Sequence, residues 1–291
     1  AHLTQTTGKA TVYQVQGHAD HQAILDGIEL LHKSEARHVI VIGGGTTLDV
    51  GKAIAGLAAQ EGGRAIAAYQ RGERNIDPGK VLPWIAVPTT SGTGSESTNN
   101  AVIELGEEKR SIRNIPPPAL IIADPGFTDS LPRTPTIIAL VDAVAQSLEV
   151  ITHAAATPEV QAVATAAFLS LAQGLTVLNT AEKTPSPSAN PASPAKPLNP
   201  EAPLNPSVRD TLSWGSLLMG IAFAHAGLTL PHALVHFCNK YKLAHGHMVG
   251  LLLSPGLYVQ AESDPATAQR LLKVETALTG SWSKKNMLSL N

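Results

Sequence analysis

Disulfide chemistry is the first thing this sequence cannot support, because it contains a single cysteine, Cys238. A lone thiol leaves no intrachain bridge to form and fits a reducing compartment. The cytoplasm is the expected location, with the mitochondrion left open. Charge is also sparse. Asp, Glu, Lys and Arg make up 15% of the 291 residues, and the formal net charge is −2 with no long basic run. That excludes the electrostatic footprint of a nucleic-acid binder and offers no basic face to an anionic membrane. No apolar run reads as long enough to span a bilayer. Ala1 opens no charged segment followed by an apolar one, so no signal peptide is expected. Aromatic residues are scarce at 4%, yet apolar residues reach 43%. So much core material under so little surface charge points to an oligomer, and a homodimer is the expectation.

What is present falls into two halves. "HQAILDGIELLHKSEARHVIVIGGGTTLDVGKAIAGLAA" reads as helix, strand, glycine turn and helix, with Ile24, Ile28 and Leu31 at helical spacing. His38 to Ile42 is a short apolar run, as expected for a parallel strand buried on both faces. Further strands are expected at Trp84–Val87 and Leu120–Ala123. Strands alternating with helices imply a parallel α/β half. From about Pro135 the strand-like runs stop. "TIIALVDAVAQSLEVI" and "VQAVATAAFLSLAQGL" both read as helices. The expected division is an α/β domain over 1–133 and an all-helical domain over 134–291. Thr180–Ser207, rich in Pro, Ser, Ala and Asn, lacks the large apolar side chains needed to offset its ordering entropy and reads as a disordered insertion.

"VIVIGGGTTLDVGKA" sets Gly43, Gly44 and Gly45 between a strand and a helix. Glycines permit close backbone approach, and a helix N-terminus favours an anion such as phosphate. Alone, the triplet fits a tight turn with no ligand equally well. The loop "VPTTSGTGSESTN" after the Trp84 strand adds many small hydroxyls, and Thr89, Thr90, Thr93 and Ser95 could wrap a pyrophosphate.

In the helical half, Asp142, Gln146 and Glu149 fall at i, i+4 and i+7 and share one helix face. A metal suits Asp142, with Gln146 one turn on. For Glu149 a solvated polar face is an equal alternative. The stretch Gly227–His247 holds four of the 11 histidines: His232, His236, His245 and His247. His232 and His236 are spaced to project from one side of a helix, and Gly246 marks a loop or helix start at His245. Asp142, His232 and His245 make an oxygen and nitrogen set suited to a first-row divalent metal. His247, His225 and His153 read as structural or exposed.

The segments "GGGTTLDVGKA", "PTTSGTGSE", "DPGFTDSLP", "DAVAQSLE" and "PHALVH…AHG" occur in the order found in the iron-containing (group III) alcohol dehydrogenases, which this chain resembles from roughly Val12 to Pro255. The resemblance implies a Rossmann-like N-terminal α/β domain followed by an all-α domain, the dehydroquinate synthase-like fold, with the active site between them. It further implies a nicotinamide cofactor, NAD or NADP, and a divalent metal, Fe2+ first and Zn2+ as the alternative. Gly44, Gly45, Thr46, Asp49, Thr89, Thr90, Thr93 and Ser95 match cofactor-binding positions. Lys109 matches a lysine near the ribose, and Leu131 a residue lining the nucleotide cleft. Asp142, His232 and His245 match metal ligands, and His236 matches a histidine beside the nicotinamide.

Where the family has its fourth ligand, a histidine four residues after the aspartate, this chain has Gln146. The chain also lacks a clear copy of the family's first strand–helix unit and of its later helices, so both ends read as trimmed. The expected activity is interconversion of an alcohol with an aldehyde or ketone. The alternatives are a metal-independent reductase like the maleylacetate reductases, and a non-redox protein on the same fold.

Overall fold

The computed structural model describes residues 10–106, 108–181, 204–235, 237–238 and 241–279. The chain divides into two compact units, 1–128 and 129–291.

The first unit is built on a short parallel sheet. Helix α1 (His21–Ser34) starts where the Asp20 side chain accepts a hydrogen bond from the Ala23 N–H, and it buries Ile24 and Ile28. Strand β1 (Val39–Gly43) is followed at once by α2 (Gly45–Leu57), and after the short helix α3 (Ile66–Gln70) comes β2 (Trp84–Pro88). Strand β5 (Leu120–Ile121) completes the sheet in the order β1-β2-β5, all parallel, with Ile40 opposite Ile85 and Ile85 opposite Leu120. It stops two residues short of the strand expected to run to Ala123. Helix α2 packs one face, where Leu48 and Ala55 join Val41, Trp84 and Ala86.

The other face departs from expectation. Ile40, Ile42, Leu120 and Ile122 stay 47%, 51%, 52% and 41% exposed. The run His38–Ile42 is therefore buried on one face and half exposed on the other. The sequence reading also missed an antiparallel hairpin, β3 (Ala101–Leu105) and β4 (Glu108–Ile112), turning at Gly106. Its signal was present: Ala101, Ile103 and Ile112 alternate inward with period two and are fully buried.

The second unit is all helical: α4 (Arg133–Thr152), α5 (Pro158–Ala181), α6 (Pro206–Ala226), α7 (Leu230–Val235), α8 (His245–Ser263) and α9 (Pro265–Thr279). Helix α4 is its axis. Leu140 and Ala143 pack with Leu171 and Leu212, Val150 and Ile151 with Phe168 and Ala222, and Ala145 with Val235 and Val249. Helices α4 and α5 are each long and apolar enough to cross a membrane by length and composition, contrary to the sequence reading. In α4 that apolar surface is spent on neighbouring helices of the same unit.

The ends of the expected disordered insertion are ordered. Helix α5 continues through Ala181, and Leu204 is buried in the core. Asn205 caps α6, its side chain accepting from the Ser207 N–H, with Pro206 at the first helical position. The Asn-Pro pair that read as loop composition is a helix start. Residues 182–203 of the insertion lie outside the described residues.

Gly246 brings α8 against α4. A Cβ there would lie 2.1 Å from the Ile138 carbonyl oxygen, which is backbone and cannot turn aside. Gly246→Ala should therefore force the helices apart and lower stability by about 1–3 kcal/mol. Urea unfolding would register this as a lower midpoint, and an unchanged midpoint would show that the approach is not tight.

Candidate functional site

In the first unit the two loop motifs meet. Gly44 precedes α2 without any side-chain cap, and no acidic residue lies in the first turn. The N–H groups of that turn are the unsatisfied donors of a helix start. The Thr89 N–H donates to the Gly43 carbonyl, tying the hydroxyl loop to the glycine turn. A Cβ on Gly44 would come 3.0 Å from Thr90 Cγ2, and one on Gly45 would come 2.7 Å from Thr93 Cγ2. A side chain at Gly45 would thus push Thr93 aside. The result is a cradle of backbone donors and small hydroxyls, with no acidic side chain in the helix's first turn. Such a cradle fits an anionic phosphate. Thr46 is exposed on the same first turn.

Two of the expected cofactor residues are committed elsewhere. Asp49 accepts from Ser95 Oγ through Oδ1 and from the Val102 N–H through Oδ2. Lys52, fully buried, donates to Ser95 Oγ at 3.2 Å, Thr98 Oγ1 at 3.0 Å and the Asn100 carbonyl at 2.8 Å, and lies 3.7 Å from Asp49. Asp49 and Ser95 therefore brace the loop from inside. Desolvation drives partly buried Asp49 and buried Lys52 and Glu96 toward neutrality. It raises Asp49 against the pull of Lys52, lowers Lys52, and pushes Glu96 up to about 7. Lys52 and Glu96 were not singled out in the sequence. Their only signal was the i, i+3 spacing of Asp49 and Lys52 on an otherwise apolar helix. Lys109 is exposed on β4, opposite Glu104 of β3. Leu131 belongs to the second unit, where its carbonyl accepts from Arg209 at 2.7 Å.

In the second unit Asp142, His232 and His245 offer ligand atoms that all lie within 4.8 Å of one another. Asp142 and His232 are buried, and His245 is partly open to solvent. Three elements supply them: α4, α7 and the first residue of α8. His232 Nε2 is 3.1 Å from Asp142 Oδ1, and His245 Nε2 is 3.7 Å from the same oxygen. The imidazole centroids are 5.4 Å apart.

Gln146 sits one turn along. Its Nε2 donates to Asp142 Oδ2 at 3.2 Å, while its Oε1 is buried with no hydrogen-bond partner. An orphaned buried acceptor is costly, and a cation shared with Asp142 would satisfy it. One carboxylate, two imidazoles and an amide are a donor set that fits a divalent metal.

Glu149 is not on a solvated face. It is fully buried and hydrogen bonded to His232 Nδ1. Burial of His232 opposes its charge, but the bonds to Asp142 and Glu149 outweigh that and push its pKa up to about 9. His236 lies outside the described residues, and α7 itself ends at Val235. His247 is exposed beside an apolar recess lined by Val141, Leu243 and Leu251.

Residues 1–125 match the family described as iron-containing alcohol dehydrogenase. The chain is 31% identical over 246 residues to long-chain-alcohol dehydrogenase 1 of Geobacillus thermodenitrificans, covering 83% of this chain and 55% of that protein. It is 32% identical over 225 residues to the NAD-dependent methanol dehydrogenase of Bacillus methanolicus, covering 76% and 52%. The chain thus spans about half the length of the curated relatives it matches. Among solved structures, an archaeal halo-thermophilic alcohol dehydrogenase from a Red Sea brine pool superposes with a TM-score of 0.79 at 22% identity, covering 96% of this chain and 68% of that one. A 1,3-propanediol oxidoreductase gives 0.76 at 24%, covering 92% and 66%. These likenesses establish the fold.

Two outcomes follow from the geometry. Lys52→Met removes the cation beside partly buried Asp49 and leaves Ser95, Thr98 and the Asn100 carbonyl without their donor, which should cost about 2–4 kcal/mol in urea unfolding; a loss below about 1 kcal/mol would mean the network carries little. His232 is raised from 6.5 to about 9, so its stabilising contribution is complete below pH 6.5. That contribution is lost as pH rises through 9. The thermal midpoint of the metal-free protein should fall over this window and should not fall in His232→Gln.

Proposed function

We propose that the chain is a member of the iron-containing alcohol dehydrogenase family, which residues 1–125 match, and that it acts as an NAD(P)-dependent, metal-assisted oxidoreductase interconverting a small alcohol with its aldehyde or ketone. The observation that carries this reading is the gathering of Asp142, His232 and His245 ligand atoms within 4.8 Å. When bound, a divalent ion supplies Lewis acidity toward a substrate oxygen, and a nicotinamide supplies or takes the hydride.

The chain's own groups prepare for both. Asp142 offsets cationic charge in a buried setting, and His232 and His245 give it neutral nitrogen donors. Gln146 adds an oxygen that has no other partner. The first turn of α2 would hold a phosphate by its N–H groups, with Thr90 and Thr93 beside the same turn to add hydroxyls. His236 is assigned proton transfer, as an imidazole titrating near neutrality suits that task. Fe2+ is the first choice of ion and Zn2+ the second. The cofactor is NAD or NADP. A cytoplasmic homodimer is the setting that the single cysteine and sparse charge favour.

A second reading has one observation behind it. Gln146, a neutral and weaker donor than imidazole, stands where the resemblance implies the fourth ligand, which suits a metal-independent reductase.

Calorimetric titration with Zn2+ and, without oxygen, Fe2+ separates the two, followed by absorbance of reduced nicotinamide over a panel of short alcohols and aldehydes. The metal reading expects turnover that chelation abolishes and that added metal restores. It also expects Gln146→His to tighten metal binding by about tenfold, since imidazole is the stronger donor. Chelator-resistant turnover would replace it with the second reading. Tight metal binding without any hydride transfer would leave the fold in a non-redox role.

A further inference from the structure

We propose that Glu149 is a positioning residue that sets the tautomer of His232, keeping the proton on Nδ1 and turning the Nε2 lone pair toward Asp142. The assignment follows from counting donors. A carboxylate only accepts. Glu149 Oε2 accepts from the Thr229 N–H at 2.8 Å, the Thr229 hydroxyl at 3.1 Å and the His232 N–H at 3.3 Å. Its other oxygen, Oε1, faces His232 Nδ1, so Nδ1 must be the nitrogen that donates. In the neutral ring that leaves Nε2 as an acceptor, 3.1 Å from Asp142 Oδ1. Two acceptors face each other there, and only a proton or a cation can lie between them. Glu149 is fully buried, so no water competes for the ring nitrogen.

The same bonds fix the ring in place. The Thr229 and His232 N–H groups belong to the start of α7, and Glu149 comes from α4, two turns after Asp142. One side chain therefore anchors the segment that carries His232 and sets its proton. An outer carboxylate on a metal-ligating histidine raises ligand basicity, and losing one typically weakens metal binding about 10- to 100-fold. The consequence for metal rests on the proposed function; the tautomer does not.

Glu149→Gln tests the assignment sharply. Three donors converge where Oε2 sits, so the amide oxygen must take that place and the NH2 must face Nδ1. The NH2 donates, which forces Nδ1 to accept and moves the ring proton to Nε2. In protein carrying 15N-labelled histidine, above pH 9 and without metal, the unaltered chain should show His232 protonated at Nδ1, and Glu149→Gln should show it at Nε2. Zn2+ affinity should fall about 10- to 100-fold in Glu149→Gln, and Glu149→Asp should restore both the Nδ1 tautomer and most of that affinity. An Nε2-protonated ring in the unaltered protein overturns the proposal, even if the glutamine variant fails to fold. So does a glutamine variant that folds and keeps both the tautomer and the affinity. Absence of Zn2+ binding by the unaltered protein would defeat the metal reading alone, since the nitrogen shifts decide the tautomer independently.

Discussion

Two carboxylates buried two turns apart on the central helix of a small bundle are the costliest thing this fold does. Asp142 and Glu149 both lie in the core of the helical unit, where an unpaired charge is expensive. His232 sits between them and touches both. The start of α7, the orientation of the ring and the proximity of His245 all follow from that meeting. The close approach of α8 at Gly246 brings the second imidazole to the same oxygen. Packing and chemistry are thus one problem here, because the helices that shield the carboxylates are the ones that deliver the nitrogens.

The α/β unit solves a different problem with the same economy. Its glycine turn offers donors but no side chain to hold them in place. Rigidity comes from behind, where Asp49 and Lys52 on α2 hold Ser95 and Thr98 of the hydroxyl loop. The half-buried Thr90 and Thr93 face the glycine turn, while the buried Ser95 and Thr98 hydroxyls are held by Lys52. That division separates Thr90 and Thr93 from Ser95, although all three stand in one loop.

Periodicity exposed the frame of both units. Helices α1, α4 and α5 and strands β1 and β2 were readable from apolar spacing, because burial imposes the spacing. The β3–β4 hairpin was missed because its alternation is short and sits beside a loop rich in Ser, Thr and Asn. Asp142 and His232 were legible as a set, since carboxylate and imidazole at helical spacing point to few chemistries. The role of Glu149 was not legible: at i+7 it is equally consistent with solvent, and only its contact across 83 residues to His232 decides. Asp49 shows the same limit. It follows the glycine turn, yet it accepts from Ser95 and the Val102 N–H, which spacing could not reveal. Motif membership fixes the neighbourhood of a side chain but not the direction it faces.

The bare side of the parallel sheet has a thermodynamic signature of its own. Ile40 and Ile42 on β1, and Leu120 and Ile122 at and just after β5, are exposed aliphatic side chains on either side of the half-buried Ile85 of β2. Water against such side chains is released when another apolar surface lies on them, and that release is marked by a negative heat-capacity change. Association through this face would strengthen with sulfate, which is excluded from exposed surface, and weaken in urea and in the cold. Any association of the α/β unit through this face would therefore depend on solvent composition and temperature, in the way that the charge state of the helical unit depends on pH.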